Sequence, residues 1–169
     1  MPLTPLHLGP GWLLGIFGLR FLNLWGILIG SVIMDLEPVV LLLINPCYLC
    51  PHHGFFHSIL GAILGSFLLA LILFAFRKKL EKILLKIKIR QNFSFKSLYF
   101  SSLLGWLLHI FLDNLTHYDV FLFWPTKIKI FYFGPRLYWP LSFGLFLMLL
   151  AAFIISFKYV RHKVYSSKS

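Results

Sequence analysis

GWLLHIFLDNLTHYD, residues 105–119, reads as a membrane-spanning helix that carries His109, Asp113 and His117 at four-residue intervals. At roughly 100° per residue, each step of four turns the helix face by only about 40°. The three polar groups therefore line one stripe of an apolar rod. A carboxylate with imidazoles on its own face is costly inside a membrane unless something compensates it. Two compensations fit: a bound metal ion, or a hydrogen-bonded His–Asp pair that only fixes helix packing.

The rest of the chain agrees with a membrane setting. It has 169 residues, enough for one domain, and is 59% hydrophobic, 18% aromatic and 12% charged, with a mean hydropathy of +0.85. Soluble domains carry about 25% charged residues, so an all-α integral membrane protein is expected. Residues 1–10 lack a basic leader and no small-residue cleavage site follows, so no secretory signal peptide is expected. The net charge of +11 sits mostly in two basic blocks beside apolar spans. That placement suits topology and anionic lipid headgroups rather than nucleic acid. Only five acidic residues exist, and Asp35, Glu37, Asp113 and Asp119 lie near histidines or span ends.

Residues 1–38 contain His7, a long apolar run interrupted by Arg20 and Asn23, and then Asp35 and Glu37. The run is either one span or a hairpin of two short helices, and the hairpin is preferred because it returns Asp35 to the side of His7. Re-entrant pieces are allowed where protein packs around them. Pro38 is expected to help end the second helix. Residues 39–58 form a polar site loop with NPCYLCP and HHGFFHS, and 59–76 form a span. The basic linker 77–96 holds eight Lys or Arg and one Glu and reads as a segment lying on the membrane surface. A span over 97–118 carries the His-x-x-x-Asp pattern. An aromatic and basic loop over 119–140, a last span over 141–157 and a basic tail over 158–169 complete the chain. The expected architecture is a compact bundle of about three full transmembrane helices plus an N-terminal helical hairpin, or four full spans. Charge asymmetry puts the linker and the tail in the cytoplasm and the polar site toward the outer face of the cell membrane.

The polar inventory is His7, Asp35, Glu37, His52, His53, His57, His109, Asp113 and His117. Imidazole and carboxylate without thiolate suit a divalent ion, zinc or manganese foremost, and there are enough groups for one or two ions. An ion would bring a bound water to a pKa of about 7, supplying the nucleophile of a hydrolysis. Lys127 and Lys129 alternate with isoleucines and either bind a substrate anion or snorkel beside Trp124 and Trp139. His162 reads as a solvated residue of the tail. Cys47 and Cys50 form a single CxxC, open to a disulfide, a metal or two plain thiols.

HHGFFHS and GWLLHIFLDNLTHYDVFLFWP resemble the signature segments of the YdjM-like family of membrane-bound, metal-dependent hydrolases, and the opening MPLTPLHLGPG with GSVIMDLEP resembles a related family of unknown function that shares the same layout. The resemblance implies a helical membrane bundle and, position by position, the ligands His7, Asp35, Glu37, His52, His57, His109 and Asp113, with His53 and His117 as possible additions. The chain departs from that pattern in placing His53 where the family has Arg and Phe56 where it has Thr. Likewise Glu37 replaces a second Asp, Met34 a Pro, and His117 a Pro.

The expected function is a membrane-embedded metal-dependent hydrolase of a phosphoester or lipid-like substrate. Two alternatives need no catalysis: a structural, sensing or transported metal, and a membrane anchor that recruits a partner through Arg77–Lys96. Substrate, general base and oligomeric state are not legible.

Overall fold

The computed structural model describes residues 4–44, 46, 52–87 and 89–166. Among them every regular element is helical: α1 (Leu8–Phe17), α2 (Leu24–Gly30), α3 (Leu36–Ile44), α4 (Ile59–Ala75), α5 (Arg77–Lys86), α6 (Phe95–Thr116) and α7 (Tyr138–Ser166). Short 3-10 turns lead into α1, α3, α4 and α7. Cys47 and Cys50 lie outside the described residues.

The packing is that of a membrane protein, with small residues inside and large apolar ones outside. Helix α4 buries Gly61, Ala62, Gly65, Ser66 and Ala70, whereas its Leu60, Leu64, Phe67, Leu68 and Leu71 are 46–56% exposed. Lipid tails are as apolar as leucine, so helices associate through close backbone approach rather than through burial of large side chains. Among the described residues, three stretches are long and apolar enough to cross a membrane: Leu24–Ile44, Phe95–Thr116 and Pro135–Tyr159. A fourth appears if α4 and α5, bent by 73° at their junction, count as one span.

The first apolar run folds as a hairpin. Helix α1 ends at Phe17, and α2 starts after Asn23, whose side chain accepts a hydrogen bond from Gly26 N. Asn23 is wholly buried. Its backbone N–H donates to Ser101 Oγ (2.7 Å) and its side-chain amide donates to Asn92 O (2.9 Å). Gln91 accepts from Leu24 N (2.9 Å) and donates to Leu22 O (3.1 Å). The turn is thus pinned to the segment before α6, with its backbone groups satisfied as a low-dielectric setting requires.

Helices α2 and α6 meet along a seam of small residues. A Cβ on Gly105 would stand 2.4 Å from Ile27 O and 2.9 Å from Ser31 N, and one on Gly30 would stand 2.4 Å from Ser102 O. Only glycine lets these two backbones come so close.

Four boundaries differ from the sequence expectations. Pro38 does not end a helix; it sits in the first turn of α3, where a missing N–H loses no intrahelical bond. Residues 39–44 are therefore helix rather than polar loop. The linker 77–96 is not merely surface-lying: in α5, Leu84 is 3% exposed and packs on Leu24 and Ile89, while Lys78, Lys79, Lys82 and Lys86 stay exposed. Helix α7 starts at Tyr138 and runs through the basic tail to Ser166, because lysine and arginine are good helix formers and their charge suits a helix C-terminus.

Candidate metal centre

Six elements converge at the end of the bundle opposite α5. His7 ends the 3-10 turn before α1, and Asp35 ends the one before α3. His57 ends the turn before α4, and His109 and Asp113 lie one turn apart on α6. Helix α6 stops at Thr116, so His117 and Asp119 belong to the loop beyond it, while His53 comes from the non-helical stretch before the 3-10 turn that leads into α4.

Asp113 is the hub. Its carboxylate lies within 4.0 Å of ring nitrogens of His7, His53, His57, His109 and His117. Asp35 Oδ1 is 3.2 Å from His109 Nε2 and 3.8 Å from His57 Nε2. The hairpin has carried Asp35 back to the level of His7, whose ring stacks on His109 at 4.0 Å.

Hydrogen bonds fix the tautomers of three of these imidazoles. His109 Nδ1 donates to Ser31 O at 2.7 Å, because a carbonyl only accepts. His57 Nδ1 donates to Glu37 Oε2 at 2.8 Å, and His53 Nδ1 donates to Asp119 Oδ2 at 2.9 Å. A neutral imidazole carries one N–H, so each Nε2 is left as a bare lone pair. All three Nε2 atoms face carboxylate oxygens, and those of His53 and His57 are buried with no hydrogen-bond partner. Acceptor facing acceptor in a buried site is unfavourable unless a cation lies between. Asp35, His57, His109 and Asp113 offer ligand atoms that all lie within 4.8 Å of one another. Ligands sharing a tetrahedral ion at about 2.0–2.2 Å stand roughly 3.3–3.6 Å apart, so these four could hold a divalent ion by closing slightly around it.

Glu37, expected as a ligand, stands one step back. Its oxygens take the His57 imidazole and the backbone N–H groups of Gly54 and Phe56. Asp119 is its counterpart, taking the His53 imidazole and the N–H groups of His52 and His53. Burial alone would raise the pKa of Asp119, but the His53 contact and the two amides hold it well below the usual carboxylate range. Carboxylates in this second position orient metal-binding imidazoles and raise their basicity.

The two adjacent histidines exchange expected roles. His53 turns into the site, while no described side-chain contact joins His52 to Asp113; the His52 backbone N–H serves Asp119 instead. Residues 52–54 lie outside any helix, so helical phasing does not apply to them. The rings of His53 and His57 meet at 4.5 Å.

Lys129 does not present itself to an anion. Its Nζ donates to the carbonyls of His117 and Val120 and reaches Asn114 Oδ1, which places its charge at the C-terminus of α6. Burial lowers its pKa, with Asp119 opposing. Lys129→Met is therefore expected to lower the thermal stability of the detergent-solubilised protein, by about 1–3 kcal/mol for the carbonyls left unpaired. Substrate affinity should not fall separately, and a thermal melt beside a binding isotherm checks both. Lys127 is exposed and outside the cluster.

Apolar helices that bury a ring of imidazoles and carboxylates define a polytopic membrane protein with an internal polar cluster that could hold a metal ion. The chain belongs to the YdjM inner membrane protein family, whose model matches residues 3–167. No curated protein and no solved structure matches it significantly.

Proposed function

We propose that the protein is a membrane-embedded, metal-dependent hydrolase acting on a phosphoester or lipid-like substrate. The observation that carries this reading is the set of three Nε2 lone pairs held facing Asp35 and Asp113 by hydrogen bonds on the opposite ring nitrogens. Zinc or manganese suits that donor set. The ion supplies Lewis acidity and activates water near neutral pH.

The chain's own residues do the rest. Ser31 O, Glu37 and Asp119 keep the imidazoles oriented. His117 retains 14% of its side chain exposed, and it is the group placed to carry a proton between the site and the outside. Burial, and His53 beside it, hold His117 below the ordinary histidine range, although Asp113 opposes the shift.

An apolar cavity of about 370 Å³ opens beside the cluster, lined by Met34, Leu36, Val40, Phe56 and Trp106, with Glu37 at its polar edge. Its chemistry suits a hydrocarbon chain, which favours a lipid-like substrate. The exposed lysines of α5 suit anionic headgroups on the cytoplasmic leaflet, which leaves the site toward the outer face.

The test is phosphate release from a lipid phosphomonoester in mixed micelles and from a soluble phosphoester. The metal-loaded protein is expected to release phosphate, to stop on chelation and to recover with zinc or manganese. A His109→Ala/Asp113→Ala protein should be folded, metal-free and inactive. Metal-loaded wild type that turns over neither substrate sinks the hydrolase reading and leaves the ion a structural part.

A further inference from the structure

We propose that a second divalent ion binds beside the first, held by His7 and His53, with the Asp113 carboxylate bridging the two ions. The proposal rests on the first site being a metal site, and goes beyond it.

The ligand count points there. Asp35, His57, His109 and Asp113 each offer one ligand atom to the first ion. His7 and His53 are left over, and they converge on the same carboxylate. His7 Nε2 stands 3.4 Å from Asp113 Oδ1, and His53 Nε2 stands 4.0 Å from Asp113 Oδ2. Both side chains are 97% or more buried, being 1% and 3% exposed.

The hydrogen bonding points there too. Asp113 Oδ2 stands 3.0 Å from His109 Nε2, on the side of the first ion. Asp113 Oδ1 is buried with no hydrogen-bond partner, and so is His53 Nε2. Asp119 keeps the proton of His53 on Nδ1, so Nε2 is a ligand lone pair rather than a donor. One cation between His7, His53 and Asp113 Oδ1 satisfies these orphaned atoms together. His117 Nδ1 lies 3.6 Å from Asp113 Oδ1 but is turned to the backbone carbonyl of Asp113, so it borders the second position without completing it. The incomplete shell leaves room for water or substrate.

Charge supports the same count. Asp35, Glu37, Asp113 and Asp119 bring four carboxylates to this end of the bundle, and an imidazole that ligates a cation is neutral. Two divalent ions balance the four carboxylates, whereas one leaves two charges in excess. The nearby Lys129 charge is already set against the carbonyls that end α6. Paired ions on a shared carboxylate are the arrangement that clamps both the attacking and the leaving oxygens of a phosphoester.

The experiment is equilibrium loading of the detergent-purified chain with Mn²⁺ alone, read by elemental analysis and by electron paramagnetic resonance. Wild type should retain about two ions per chain with an exchange-coupled spectrum, since bridged pairs sit about 3.5–4 Å apart. His7→Gln and His53→Gln should each retain about one ion with an uncoupled spectrum. Wild type that holds one ion, unchanged in both variants, overturns the second site and leaves the first standing. Two ions without coupling overturn the Asp113 bridge. No bound ion in wild type overturns both sites. The wild-type count and spectrum decide the matter even if a variant does not fold.

Discussion

Asp113→Ala is expected to strip the protein of bound metal, with affinity lowered by more than about 100-fold. Removing a group that only orients a ligand already costs 10–100-fold, and Asp113 is the carboxylate that five imidazoles share. The variant should also lose stability in the metal-free state. His109 and His57 Nε2 would keep Asp35 at 3.2 and 3.8 Å, but His7, His53 and His117 would face the space the carboxylate had filled. Breaking a buried ionic contact from one side costs about 3–5 kcal/mol. Asp113→Asn separates the two effects, because it keeps the shape and removes the charge. It should fold nearly as well as wild type and still bind no metal. Elemental analysis and thermal unfolding in detergent, on all three proteins, check both statements. An Asp113→Asn protein that keeps its metal would show that Asp113 is packing rather than ligand.

The second large effect lies away from the ionisable groups. Gly105→Leu is expected to destabilise the fold by about 3 kcal/mol or more, at or beyond the upper end for overpacked cores. The atoms in the way are Ile27 O and Ser31 N, which are backbone and cannot rotate aside. The same substitution should impair metal binding without touching a ligand. Ser31 O accepts from His109 Nδ1 at 2.7 Å, so pushing α2 off α6 removes the contact that sets the tautomer of His109. Thermal unfolding with metal titration reads both effects. A Gly105→Leu protein with wild-type stability and affinity would mean that the seam can relax, and the link between glycine packing and tautomer would fail.

What could be read in advance follows from which residues sit on regular helix. The spacing of His109 and Asp113 needs only 3.6-residue geometry, and both fall on α6 as that geometry requires. The hairpin was legible because Arg20 and Asn23 interrupt an apolar run, and Asn23 indeed caps α2. His117 was phased as a third member of the stripe. The helix ends one residue earlier, and His117 reaches Asp113 as its C-cap. The exchange between His52 and His53 was out of reach, since it depends on a non-helical segment held by Asp119, 66 residues beyond His53. Glu37 and Asp119 were legible as carboxylates near the site but not as supports for its ligands. Which shell a carboxylate joins depends on distances of an ångström or two that no spacing encodes. The signal that existed was scarcity: four of the five acidic residues lie near histidines or span ends in a chain this apolar.

The shortness of α4 has a consequence for the bilayer itself. The helix has 17 residues, about 25 Å of rise, against a hydrocarbon core of about 30 Å. It cannot lengthen, because Ser58 caps one end and the 73° bend into α5 closes the other. A membrane meets such an element by thinning around it. Hydrophobic mismatch would then draw one layer of headgroups down toward the end of α4 where His57 stands, so a lipid ester need not leave its leaflet to reach the imidazoles.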